Sequence, residues 1–180
     1  MEAEVKAERS GVPTIAWRGL SANDIHSLVR VANKIHPDLP EDDQVFKERI
    51  KLFPEGCLAL AEEGEVGGEL YGYIISHPII RHQPPALNQM LGQIAPEADQ
   101  YYIHDLVILP QARGCGFAQK CLDKIFAIAG RFSTTSLVSV YGTASFWSRF
   151  GFTAQDIDET LKEKLLNYGE DAVYLERKNE

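Results

Sequence analysis

The sequence predicts one α/β domain, on three observations. Strand-like and helix-like segments follow one another along most of the chain. No break in composition divides it, and its 180 residues are 44% hydrophobic, enough for one sizeable core.

The elements follow in order. Residues 1–12 are charged and small and read as a flexible tail, leaving 13–180 as the domain. "TIAWRGL" reads as a strand ending at Ser21, an N-cap for the next segment. In "NDIHSLVRVANKIH", Ile25, Leu28, Val29, Ala32 and Ile35 recur at helical spacing, and His36-Pro37 stops the helix because a residue before proline avoids helical geometry. Val45, Ile50 and Phe53 predict a second helix from about Asp42. "CLALAEE" and "ELYGYIISHPII" read as paired strands joined by a turn around Gly64 to Gly68.

Residues 81–100 contain Pro84, Pro85 and Pro96 and no sustained period, so they read as a long loop and a candidate cover over an acceptor site. "YYIHDLVIL" is a strand whose alternation places Tyr102, His104 and Leu106 on one face and Ile103, Asp105 and Val107 on the other. A helix from Gly116 to about Ala129 carries Ala118, Cys121, Leu122, Ile125 and Ala129 on one stripe, with Gly130 as its terminator. "TSLVSV" reads as a strand, "TASFWSRF" as a short helix ended by Gly151, and "AVYLERK" as the last strand.

Charge and cysteine usage narrow the function. A net charge of −8, with 18 scattered basic residues, argues against a nucleic-acid partner and favours a cationic small molecule. Three cysteines without CxxC spacing suggest no disulfide framework, and the cytoplasm is the expected compartment. The most apolar window, Leu70 to Ile80, is too short to span a bilayer, so no membrane role is expected. His26, His36, His77 and His82 lack metal-ligand spacing and read as surface or loop residues; no metal site is expected.

"ILPQARGCGFAQKCL" joins a strand to a helix through Arg113, Gly114, Cys115 and Gly116. Free amides of a first helical turn, the positive end of its dipole and two residues without β-carbons together make an anion site with Arg113 at its rim. Glycines at such a seam also serve simply as tight-turn residues. No Gly-Lys-Ser/Thr and no G-x-G-x-x-G near the first strand is present, which disfavours a nucleoside triphosphate or NAD.

On these residues the chain resembles the GNAT superfamily of N-acetyltransferases. "RGCGFA", Arg113 to Ala118, matches that family's acetyl-CoA signature after a strand and opening a helix, and "ASFWSRFGF" resembles its later helix-turn segment. "YYIHDLVIL" and "HPDLPEDDQVFKERIKLFPEGCLAL" are similar to the arylalkylamine N-acetyltransferase-like branch. The resemblance implies a mixed, mostly antiparallel sheet flanked by helices, with acetyl-CoA in a cleft between central strands. It implies that backbone groups of Leu106, Val107 and Ile108 pair with the pantetheine arm and that Arg113, Gly114, Cys115, Gly116, Phe117, Ala118 and Gln119 hold the pyrophosphate.

An alkylamine, with a pKa of roughly 10, arrives protonated and needs a base before it can attack a thioester. His104 is the expected base, directly or through water, with Tyr102 as its partner where the branch has a second histidine; the alternative is a strand-face histidine bonded for structure. Trp147 stands where the family usually has a tyrosine that protonates the thiolate, and an indole N–H is no useful acid. Tyr141 or Tyr102 could substitute. Asp105 either binds the acceptor ammonium or pairs with a neighbouring basic group, and Cys115 reads as a bystander rather than a nucleophile.

The expected activity is acetyl transfer from acetyl-CoA to a small primary amine of the arylalkylamine or polyamine type. A protein or peptide acceptor and a non-catalytic acyl-CoA sensor are the alternatives.

Overall fold

Seven strands assemble into one sheet in the order β1-β2-β3-β4-β5-β7-β6 in the computed structural model, which describes residues 14–180. The expected tail over residues 1–12 lies outside the described residues. The strands are β1 (Ile15–Gly19), β2 (Cys57–Glu62), β3 (Leu70–Ile79), β4 (Gln100–Ile108), β5 (Thr134–Ser139), β6 (Thr153–Ala154) and β7 (Val173–Lys178). The helices are α1 (Ile25–Ile35), α2 (Asp43–Leu52), α3 (Phe117–Ala129), α4 (Ala144–Ser148) and α5 (Glu159–Leu166). All strand pairs are antiparallel except β4 with β5.

Local chemistry sets the helix boundaries. Ser21 accepts from the Asn23 amide while Asp24 accepts from the Ser21 amide, so a reciprocal cap starts the turn that feeds α1. Asp24 is itself buried and held by Arg18 at 2.7 Å. The α1 stripe of Ile25, Leu28, Val31 and Ala32 packs with Phe46 of α2 on Tyr73, Ile75 and Val107, forming one core layer. On the opposite face Cys121, Leu122 and Ile125 of α3 pack on Ile74, Tyr101, Ile103 and Leu137. Burying such side chains contributes roughly 1.5–3 kcal/mol each, which is why both faces are apolar.

Two features place the functional site. First, β4 and β5 pair only over Tyr101–Ile103 and Thr135–Leu137, then part, leaving one edge of residues 104–108 without a strand partner. The Leu109 amide donates to Tyr71, so by antiparallel alternation the polar groups of Val107 face Tyr73 of β3, while those of Leu106 and Ile108 face the opening.

Second, β4 carries a bulge. Asp105 opposes Ile75 and Ile103 opposes Ser76, so His104 is the extra residue. This corrects the strict alternation expected of "YYIHDLVIL". His104 and Asp105 both face the α1–α2 side, with Tyr102 and Val107, whereas Leu106 packs on the α3 side with Ile103.

The remaining differences lie near the C-terminus, where α5 and the two-residue β6 were not expected. Asp158 caps α5 through the Leu161 amide, and Leu161 and Leu165 pack on Tyr174. His77 also departs from expectation, being buried within β3; His36 stands in the loop after α1 as expected and lines a cleft.

Candidate active site

The parting of β4 and β5 opens a cleft of about 950 Å³. Its walls come from the C-terminal half of β4, the turn into α3, the end of β5, α4, and the segment between α1 and α2. Backbone polarity at one edge and apolar side chains around it make a slot for a long flexible chain with amide groups.

One end of the cleft is the seam before α3. Gly114 and Gly116 have φ of +78° and +82°, a region that L side chains reach only at a cost, and no protein atom lies within 4 Å of where a β-carbon would sit on either. The space above the turn is therefore open. Gly116 is the N-cap and no side chain bonds to it, so the Phe117, Ala118 and Gln119 amides at the start of the 13-residue α3 have no intrahelical acceptors. These amides fit a pyrophosphate. Arg113 Nε donates to the Ile108 carbonyl at 2.8 Å, which ties the guanidinium across the turn and leaves the Ile108 N–H as that residue's edge group. Cys115 is exposed in the same turn.

Two histidine–carboxylate pairs line the wall on the α1–α2 side. His104 Nε2 lies 2.7 Å from Glu41 Oε1, with both side chains at least nine-tenths buried. A carboxylate only accepts, so Nε2 carries the hydrogen of this bond, and Nδ1 is buried without a partner. Burial works against charge on Glu41, but the His104 charge and hydrogen bond, the Asn88 amide and the Arg49 charge outweigh it and hold its pKa below the ordinary glutamate value.

Beside it, His36 Nε2 lies 3.0 Å from Asp105 Oδ1, and the Tyr73 hydroxyl donates to Asp105 Oδ2. Asp105 is thus paired with a basic and a phenolic neighbour. The His36 ring stacks on Tyr141 at 5.5 Å with 5° between planes. Burial opposes charge on His36, yet the Asp105 hydrogen bond and the Asp105 and Glu41 charges raise its pKa.

Tyr102 lies deeper. It is fully buried behind His104 with the rings 6.1 Å apart, and no hydrogen bond joins its hydroxyl to the imidazole. Burial, then the charges of Tyr168, Tyr174 and Glu41, push its phenol well above the ordinary value, so it stays neutral. Trp147 forms part of the cleft wall, held edge to face by Phe146 and Phe152 with centroids 5.0 and 5.4 Å away.

Residues 81–99 are tied down by their backbone. Asn88 N donates to Glu41 Oε2, Leu91 and Gly92 donate to Glu48, Arg49 donates to the Gln89 carbonyl, and Lys164 and Tyr168 donate to the carbonyls of Pro84 and Pro85. Leu87 thereby becomes part of the cleft wall. Sequence reasoning singled out His104 and the glycine seam but missed Glu41 and His36. "KIHPDLPE" offered a weak signal, since a histidine and an acid flank two prolines near a helix end.

A sheet split at a parallel pair, with an uncapped helix start facing the split, defines an acyl-transfer fold of the coenzyme A type. The acetyltransferase (GNAT) family matches over residues 22–152, most of the chain, and the chain belongs to that family. It is an acyltransferase.

Solved structures agree in fold. Ard1 from Thermoplasma volcanium superposes with a TM-score of 0.67 at 16% identity, covering 91% of this chain and 97% of that one. N-acetylglutamate synthase from Neisseria gonorrhoeae, complexed with coenzyme A and N-acetyl-glutamate, gives 0.65 at 19%, covering 93% and 35%. Arabidopsis thaliana Naa50 with the bisubstrate analogue CoA-Ac-MVNAL gives 0.62 at 15%, covering 90% and 96%. No curated protein was found to match by sequence. Among the described residues there is no cluster of metal-ligating side chains, and no helix is long and apolar enough to cross a membrane.

Proposed function

We propose that the chain transfers the acetyl group of acetyl-CoA to the primary amine of a small molecule of the arylalkylamine or polyamine type, with His104 as base. One observation carries the reading: a buried histidine on the cleft wall whose hydrogen is committed to Glu41 and whose Nδ1 is left without a partner. Its environment suits removal of a proton from an ammonium that arrives charged. Glu41 holds the tautomer and balances the positive charge that the ring acquires.

The thioester of the bound donor supplies an activated acyl carbon. The protein's own contribution is positional. The edge groups of Leu106 and Ile108 suit the pantetheine amides, and Val107, whose polar groups face Tyr73, adds its apolar side chain alone. The amides of residues 114–119, with Arg113 tied across the turn, suit the diphosphate. Tyr102 supports the base from behind and excludes water from it rather than exchanging protons with it.

The small-molecule reading rests on residues 81–99, whose many tethers hold Leu87 against the acceptor side of the cleft and narrow the room an extended peptide would need. The similarity of the strand at 101–109 to the arylalkylamine N-acetyltransferase-like branch points the same way. The Naa50 complex with a peptide analogue makes a peptide N-terminus the second reading.

The test is thiol release from acetyl-CoA with three acceptors: 2-phenylethylamine, spermidine and an N-terminally free pentapeptide. A kcat/KM for either amine at least tenfold above that for the peptide supports the reading. Selective turnover of the peptide overturns the acceptor class, and coenzyme A binding without turnover of any acceptor favours a sensor.

A further inference from the structure

The transfer reaction takes protons from nitrogen and gives one to sulfur, and the base accounts only for their removal. The sulfur that leaves the acyl carbon also needs a proton or a strong hydrogen bond, and Trp147, wedged among phenylalanines, offers only a weak indole donor. The cleft wall carries a second imidazole held by a carboxylate, that of His36. His36 is bonded through Nε2 to Asp105, Asp105 is bonded to the buried Tyr73, and the opposite anchor is the Tyr141 ring stacked on the imidazole.

We infer that His36, anchored by Asp105 and stacked on Tyr141, is the acid that returns a proton to the departing sulfur. The placement supports it. The bulge at His104 turns Asp105 to the same side of β4 as His104, so His104 and the carboxylate that holds His36 occupy adjacent positions of one strand; each imidazole has Nε2 on a carboxylate and a buried Nδ1 without a partner. Tyr141 follows β5, the strand on the other side of the split, so the stack bridges the opening in which the thioester would lie.

The inference rests on the reading of His104 as base. The amine nitrogen bonds to the acyl carbon, the carbon–sulfur bond breaks and its electron pair goes to sulfur. Before the attack the ammonium gives one proton to Nδ1 of His104, which passes it to solvent; once the carbon–nitrogen bond has formed, the nitrogen gives its second proton to the same Nδ1, and the Nδ1 proton of charged His36 goes to sulfur. His36 is left neutral and regains a proton from solvent, and His104 releases its proton to solvent.

The groups that bear on His36 are Asp105 on β4, Glu41 between α1 and α2, and Tyr141 after β5; Lys34 on its own helix lines the same cleft. The two acidic neighbours outweigh burial and raise its pKa, which favours the charged form that an acid needs.

The experiment compares two acyl donors in single turnover, acetyl-CoA and the acetyl thioester of 4-nitrothiophenol, whose thiol leaves without help. The acceptor is 2-phenylethylamine, or the pentapeptide if the panel selects it. His36→Gln is expected to slow transfer from acetyl-CoA about 100-fold, to leave the aryl donor within threefold of the parent, and to abolish the fall of kcat at alkaline pH. His104→Gln is expected to slow both donors and abolish the acid limb instead. Should His36→Gln lose coenzyme A binding or its cooperative melt, Asp105→Asn decides: the alkaline limb must move to lower pH. The inference is overturned by equal losses with both donors in His36→Gln, by an alkaline limb unmoved in both variants, or by Tyr141→Phe removing that limb. Full activity of His104→Gln overturns the base reading by itself, whatever His36→Gln does.

Discussion

Glu41 Oε1 lies 2.7 Å from His104 Nε2, although 63 positions separate the two residues in the chain. The contact joins the segment between α1 and α2 to the bulge of β4, and the same carboxylate accepts from Asn88. One buried acid therefore fixes the imidazole and the covering segment together.

Replacing Glu41 by Gln keeps the shape and removes the charge. Transfer should slow about tenfold or more, since second-layer partners of an imidazole are worth that much, and stability at neutral pH should fall by about 1–3 kcal/mol. The folded pKa of Glu41 is depressed, so its contribution is present above the ordinary glutamate value and is lost as pH falls through the lower, folded value. Urea melts of parent and variant should thus differ at pH 7 and converge at strongly acidic pH. A constant difference across that range would contradict the assignment.

His77 provides an independent pH test away from the cleft. Burial, the largest cause, pushes its pKa down to about 3 against the opposing Pro78 carbonyl. The unfolded chain binds a proton there at pH values where the folded chain does not, so stability is complete above about pH 6.5 and declines by about 1.4 kcal/mol per unit below it. Between pH 7 and pH 5 this group alone should remove about 2 kcal/mol, and His77→Gln should abolish that component of the slope.

Glycine substitutions separate strain from binding. Gly116→Ala and Gly114→Ala place a β-carbon in open space at positive φ, so each should cost about 1–2 kcal/mol while raising the coenzyme A Kd at least tenfold. Gly72→Ala acts differently. Its β-carbon would run into the Val107 carbonyl oxygen across the β3–β4 pair, which should lower the melting temperature more than either seam variant. Calorimetric melts and titrations with coenzyme A read the two effects separately.

Cysteine accessibility marks the seam directly. Cys57 and Cys121 are buried, and burial pushes the Cys57 thiol up to about 12 and the Cys121 thiol higher still. Cys115 is exposed. One thiol of the three should react quickly with an aromatic disulfide in the native protein, and saturating coenzyme A should protect it. Rapid reaction of two or three thiols, or no protection, would contradict the placement.

Most of this architecture was legible in the chain because strong periods survive folding. Ile25, Leu28 and Ala32 marked α1, the aromatic and β-branched run marked β4, and the glycine seam marked the start of α3. The α5 helix escaped because only Leu161 and Leu165 of its eight residues are buried, and β6 because two residues carry no period. The bulge escaped for a different reason. It is a property of pairing with β3, and alternation along β4 alone put Asp105 on the wrong face. Glu41 and His36 were out of reach for the same cause, since their partners are 63 and 69 positions away.

The most direct measurement is the rate of acetyl transfer in a single turnover by His104→Gln at saturating acetyl-CoA, with coenzyme A affinity measured alongside. The account predicts a loss of about 100-fold or more, a missing acid limb in the pH profile, and an unchanged Kd. Transfer at the parent rate with the acid limb intact would contradict it.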